Sequence, residues 1–245
     1  MNDFNVAHCY SRLITWTCKW FNEHPQFQNV VIGMSGGKDS TITAALLVRA
    51  LGKDRVIGVA LPDAGQNIND ADKICKHLGI RYICCSIGSA VAELSRDIES
   101  GMNDSLSKQT IQNIPPRIRM TTLYAIAQSN NACVVNTCNL CECYIGYSTK
   151  HGDSAGDFSL LANLTVDEIL ELGDYLNLPR AWVYKTPDDG LPHSQPDEIK
   201  IGFSYHVLSD YIRGYATPEE SIKSKIDRMH ELNLHKLQPM PAYQQ

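Results

Sequence analysis

The chain has 245 residues, 43% of them hydrophobic and 20% charged, with a formal net charge of −5. That suits one globular unit able to bury a sizeable core, and the acidic balance argues against a dedicated nucleic-acid binder. No apolar run approaches the roughly 20 residues of a membrane span, and residues 1–22 lack the basic start and apolar stretch of a signal peptide.

In chain order, the first half alternates between two signals. Short runs rich in Val and Ile predict strands over residues 29–34, 55–61, 81–87 and 132–137. Between the first two, residues 39–51 read as a nearly all-apolar helix ended by Gly52; residues 68–78 read as another, closed by Gly79. Residues 86–113 read as helical, and Pro115-Pro116 is expected to open a further helix with Met120, Leu123, Tyr124 and Ala127 on one stripe. Strands apolar along their whole length, alternating with helices, predict an α/β fold: a Rossmann-like parallel sheet with helices on both faces. The second half reads as mostly helical. Thr165-Val166-Asp167-Glu168 and Thr217-Pro218-Glu219-Glu220 each have the form of a capping box. Between them, residues 185–199 hold three prolines, one glycine and four acidic residues, the makeup of an exposed loop or lid.

Directly after the first strand comes Ser35-Gly36-Gly37-Lys38-Asp39-Ser40. A small-residue loop between a buried strand and a helix lets phosphate oxygens reach backbone N–H groups and the positive end of the helix dipole. It is not a Walker A loop: three residues separate Gly33 from Gly37-Lys38, and Asp39 stands where Ser or Thr is required. Ligands in such sheets sit beyond the carboxyl ends of the strands, where Asp39 and Glu142 both fall. Two carboxylates at that edge can share a Mg²⁺, which takes one or two carboxylates plus phosphate oxygens; either can equally be a plain solvent-facing acid. Arg117 and Arg119, placed early in their expected helix, sit against its dipole and are easier to understand if they serve an anion; two exposed arginines without a partner are the equal alternative. Nine cysteines, several in apolar segments, read as free thiols in a reducing compartment, which predicts a cytoplasmic protein. Cys138, Cys141 and Cys143 have no second C-x-x-C pair to complete a four-ligand metal site.

Taken together these pieces resemble the ammonia-dependent NAD synthetases, a family within the enzymes that cleave ATP between its α and β phosphates. The resemblance runs through V-V-I-G-M-S-G-G-K-D-S (30–40), V-I-G-V-A-L-P (56–62), N-I-P-P-R-I-R-M (113–120), N-T-C-N-L-C-E (136–142), G-Y-S-T-K-H-G-D (146–153), N-L-T (163–165), K-T-P-D-D-G-L (185–191), Asp197-Glu198 and His235-Lys236. It implies an adenine-nucleotide-alpha-hydrolase-like fold over residues 1–245 as one synthetase domain without a glutaminase domain; 28 residues precede the first strand. It implies that Gly33, Met34, Ser35, Gly36, Gly37, Lys38, Asp39, Ser40, Thr137 and Asp188 bind ATP, and that Asp39 and Glu142 hold Mg²⁺. Arg117, Arg119, Lys150, Asp157, His235 and Lys236 would bind deamido-NAD, and Asp39 and Lys150 would be catalytic. A homodimer follows from the same resemblance, with no nucleic-acid or membrane partner; ammonia as the nitrogen source is expected from length, because a glutamine-using version needs an extra amidase domain. The chain departs from the family pattern at Val166, where a Lys is common, and at Asp188, where Thr or Ser is common. Two other readings compete: a degenerate, non-catalytic nucleotide binder, motivated by Val166 and Asp188, and a tRNA thiolation enzyme of the same superfamily, motivated by the cysteine cluster.

Overall fold

A computed structural model describes residues 4–63, 66, 69–185 and 195–243. The expected lid, for the part spanning 186–194, and Asp188 with it, lie outside the described residues. The elements run α1 (Val6–Glu23), β1 (Asn29–Gly33), α2 (Lys38–Leu51), β2 (Val56–Ala60), α3 (Asn69–Leu78), β3 (Arg81–Cys84), α4 (Gly88–Met102), α5 (Lys108–Ser129), β4 (Ala132–Asn136), α6 (Leu140–Ile145) and β5 (Phe158–Ser159). They continue with α7 (Val166–Tyr175), α8 (Arg180–Val183), α9 (Asp197–Ile201), α10 (Tyr205–Arg213) and α11 (Glu220–Leu237).

The strands form one parallel sheet in the order β3-β2-β1-β4-β5. Alternate residues of the central strands feed two cores. Val30 and Ile32 point into a core with α1, α2, α3, α7 and α8, while Val31, Ile57, Val59 and Val134 face α5 and part of α4 on the other side. Helices therefore cover both faces, as the continuous apolar strands predict. A third cluster joins α6, α7, α9, α10 and α11 through Cys141, Ile145, Val166, Ile201, Tyr205, Leu208 and Ile226. None of the helices is long and apolar enough to cross a membrane among the described residues.

Three local expectations need correction. Pro115 and Pro116 do not open a helix; they lie inside α5, which starts about two turns earlier behind the Ser107 cap. Ser107 Oγ accepts from Thr110 N at 3.1 Å, a start signal two turns upstream of the prolines, and the packing of Met120 and Leu123 in the core helps hold the helix beyond them. Arg117 and Arg119 consequently sit mid-helix, and the dipole argument does not apply to them. The Thr165 box forms as expected, but α11 begins behind Glu219 with no side-chain cap. An unforeseen box caps α6, between Asn139 and Glu142. α1 and the two-residue β5 were also not foreseen.

Candidate active site

The strand order places β1 between β2 and β4, so the connections leaving β1 and β4 diverge and open a crevice at the carboxyl edge of the sheet. A cavity of about 420 Å³ fills it, within the range of nucleotide-sized ligand sites. Its apolar end is formed by Val59, Leu61, Met120, Leu123 and Val135; its polar end carries Lys38, Asp39, Glu142, Asp153, Lys185 and Asp197.

Gly36 has φ +79, and a Cβ there would lie 3.0 Å from Asp70 Cβ, so the turn requires glycine. Gly37 then caps α2 without a side-chain hydrogen bond. The first N–H groups of this 14-residue helix thus lack a side-chain acceptor and face the crevice, the arrangement that binds phosphate. Ser40 and Thr41 donate their hydroxyls to Gly37 O at 3.1 and 2.7 Å, which holds the turn closed. Of the expected ATP-binding residues, Gly33, Met34, Ser35, Gly37, Lys38, Asp39 and Thr137 line the cavity. Gly36 and Ser40 support it from behind.

Asp39, in the first turn of α2, and Glu142, in the first turn of α6, meet through Asn139. Asn139 Nδ2 donates to Asp39 Oδ1 at 3.3 Å, and Asn139 N donates to Glu142 Oε2 at 3.0 Å. Burial, then the neighbouring Asp39 charge, raises the Glu142 carboxyl above its ordinary value. Two converging carboxylates are a hard-oxygen donor set that fits a divalent cation, whose charge favours the ionised form of both. The Lys38 ammonium is buried; desolvation works against its charge, but Asp39 and Glu142 outweigh it and its pKa is raised. Asp153, whose carboxyl is raised mainly by burial, accepts from Thr149 N at 2.8 Å.

The six residues expected to bind the second substrate divide. Arg119 lines the cavity and donates to Leu61 O at 3.0 Å and Gln66 Oε1 at 2.8 Å. Arg117, Lys150, His235 and Lys236 gather outside that lining. Arg117 Nε donates to Lys150 O, Lys150 Nζ to His235 O, and Lys236 Nζ to the carbonyls of Gly146 and Ser148. Asp157 lies apart from both: its Oδ2 accepts from Val134 N at 2.7 Å beside the sheet. Asn139, Asp153 and Asp197 belong to the site without having been assigned a role from the sequence. The Asn139-x-x-Glu142 spacing of a capping box was the available signal for the first of them.

The cysteine cluster has no metal-site geometry. Burial pushes Cys141 and Cys143 up to about 11, and the metal-ligand grouping found among the described residues contains no cysteine.

A family model described as NAD synthase matches residues 10–243. The chain is 38% identical over 187 residues to the NH(3)-dependent NAD(+) synthetase of Methanococcus aeolicus, covering 74% of this chain and 72% of that protein. With the enzyme of the same name from Alkaliphilus metalliredigens it shares 31% identity over 96% of this chain and 98% of the relative. The fold superposes on the NMN synthetase of Francisella tularensis with a TM-score of 0.90, at 31% identity, covering 98% of this chain and 99% of that one.

Proposed function

The chain belongs to the NAD synthase family, and from that premise we propose that it is an NH3-dependent NAD+ synthetase, a ligase that forms a C–N bond at the expense of ATP. The observation that carries this reading is the uncapped N-terminus of α2 opening onto the same cavity as Asp39 and Glu142. The adenine ring fits the apolar end, against Met120 and Leu123, and the phosphates fit the glycine turn. Asp39 and Glu142 would hold Mg²⁺, which when bound neutralises phosphate oxygens and lowers the repulsion between two polyanionic substrates.

A carboxylate is a poor acyl donor because its oxygen leaves badly. Adenylation supplies a better leaving group. The nicotinate carboxylate oxygen of deamido-NAD forms a bond to the α-phosphorus, and the bond to the bridging oxygen breaks with its electron pair staying on pyrophosphate. Ammonia then attacks the acyl carbon; AMP leaves with the electron pair of the C–O bond, and the extra proton on nitrogen passes to solvent. The chain's task is positioning and charge stabilisation: helix donors on the phosphates, Arg119 at the cavity wall, and the Arg117, Lys150, His235 and Lys236 group for the outer part of the dinucleotide.

We place the reaction in a single synthetase domain, in the cytoplasm, with free ammonia as nitrogen source and a second copy of the chain as partner. α4 supports the dimer: none of its residues is fully buried, and it carries the exposed large apolar side chains Leu94 and Met102.

A second reading is favoured by the likeness to the Francisella enzyme over nearly the whole of both chains. On that reading this chain would take the same carboxylate on a mononucleotide, and the product would be NMN. Purified protein incubated with MgATP, ammonium and either acid tests both. Equimolar NAD and AMP supports the main reading, a clear kcat/KM preference for nicotinate mononucleotide supports the second, and no AMP with either acid would point to a non-catalytic nucleotide binder.

A further inference from the structure

Lys38 occupies the variable position of the phosphate turn, yet its side chain is more deeply buried than those of Arg119 and Lys185, the other cations lining the cavity. The residue is 5% exposed, its Nζ donates to Asp39 Oδ2 at 2.9 Å, and it stands 5.7 Å from the centre of the Tyr205 ring. An ammonium carries three donors, and one of the three is used among the described residues. Tyr205 is 3% exposed, and its hydroxyl has no hydrogen-bond partner among the described residues. A buried ammonium that lines the cavity and keeps two donors is able to take acceptor oxygens from a bound anion.

The neighbouring cations are committed elsewhere. Lys185 pairs with Asp70 at 2.8 Å, and Arg119 donates to Leu61 O and Gln66 at the apolar side. Lys38 follows Gly37 directly, and both line the cavity.

Resting on the ATP reading above, we propose that Lys38 is a catalytic residue of the adenylation step with two alternating partners. It neutralises Asp39 in the free protein, and would turn to the pyrophosphate oxygens where Asp39 and Glu142 hold a divalent ion. As the α-phosphorus bond to the bridging oxygen breaks, the electron pair left on pyrophosphate is stabilised by the Lys38 ammonium, which stays protonated throughout. Lys38 and the divalent ion therefore compete for one carboxylate and cooperate on one leaving group.

The test is calorimetric. Mn²⁺ alone, and pyrophosphate in saturating Mn²⁺, are titrated into wild type, K38M and K38Q, with thermal melts as a folding control. Removing the competitor should tighten Mn²⁺ binding about threefold or more, whereas loss of a charge-assisted contact should weaken pyrophosphate binding by about 10- to 100-fold. K38Q keeps a hydrogen-bond donor toward Asp39 without the charge, so it stays informative should K38M fold poorly. Unchanged pyrophosphate affinity, or Mn²⁺ binding that weakens in both variants, overturns the proposal. Failure of the wild type to bind pyrophosphate with Mn²⁺ would instead overturn the ATP reading on which it rests.

Discussion

The Lys150 ammonium donates to the His235 carbonyl at 3.0 Å, so the polar segment that ends at Asp153 is tied to the last turn of α11. The Lys236 ammonium adds bonds of 2.8 and 3.0 Å to Gly146 and Ser148. A C-terminal helix far along the chain thereby sets the position of a loop that borders the cavity.

That docking is sensitive at Gly146. Its φ is +65, and an added Cβ would overlap the side chain of Asn233, which donates to Ile145 O at 3.1 Å. Gly146→Ala should cost about 1–3 kcal/mol and lower Tm by several degrees in thermal melts. The nearest atom is Asn233 Cβ, which alanine would keep, so only Asn233→Gly removes the overlap while leaving the backbone strain; measured against Asn233→Gly alone, the double variant should recover part of the loss. Full recovery would show that the left-handed backbone is not strained there.

Asp39→Ala should abolish AMP formation, with rate losses of about 100-fold or more, and leave the far-UV circular dichroism spectrum intact. Near-normal turnover in this variant would defeat the assignment of Asp39 to the phosphate and metal site.

Glu168, 5% exposed, closes the α7 capping box by accepting from Thr165 N at 2.8 Å. The Arg213 guanidinium binds the same carboxylate through two bonds of 2.8 and 2.7 Å, joining α10 to α7. Arg213→Ala strands a buried carboxylate and should destabilise by about 2–4 kcal/mol, discounted from the fully buried case because the guanidinium is partly exposed. Arg213→Lys, which cannot form the fork, should recover little of it in urea unfolding.

His206 lies with Nδ1 2.7 Å from Asp167 Oδ2 and Nε2 3.8 Å from Asp210. The hydrogen bond to Asp167, with that residue's charge, raises its pKa above the ordinary value. A raised folded pKa means a contribution fully present below the unfolded value of about 6.5 and lost as pH rises through the folded value. The Tm difference between wild type and His206→Gln should be larger at pH 5.5 than at pH 9. Equal differences at both would mean the pair contributes no charge-dependent stability.

Much of the fold was legible because its signals are local. Four strands and the helices between them follow from apolar runs and closing glycines, and the Thr165 box from a four-residue pattern. Pro115-Pro116 misled for the same reason. A proline pair is a strong local stop, yet the Ser107 cap and the packing of Met120 and Leu123 carry α5 through it. α1 was missed because its apolar face is mixed with polar and aromatic residues and is completed only by contact with α2 and α7.

The sequence by itself determined the glycine turn, the parallel α/β alternation and the residue types of the site, since each depends on backbone geometry and neighbours a few positions away. Tertiary structure decided which of those residues meet. Asp39 and Glu142, far apart in the chain, converge because β1 and β4 are adjacent in the sheet and their helices start at the same edge. It also separated Arg119 from Arg117, two residues apart on one helix: about 100° of rotation per residue turns one toward the cavity and the other toward Lys150. Side-chain direction and strand order are products of the packed chain, and no local pattern encodes them.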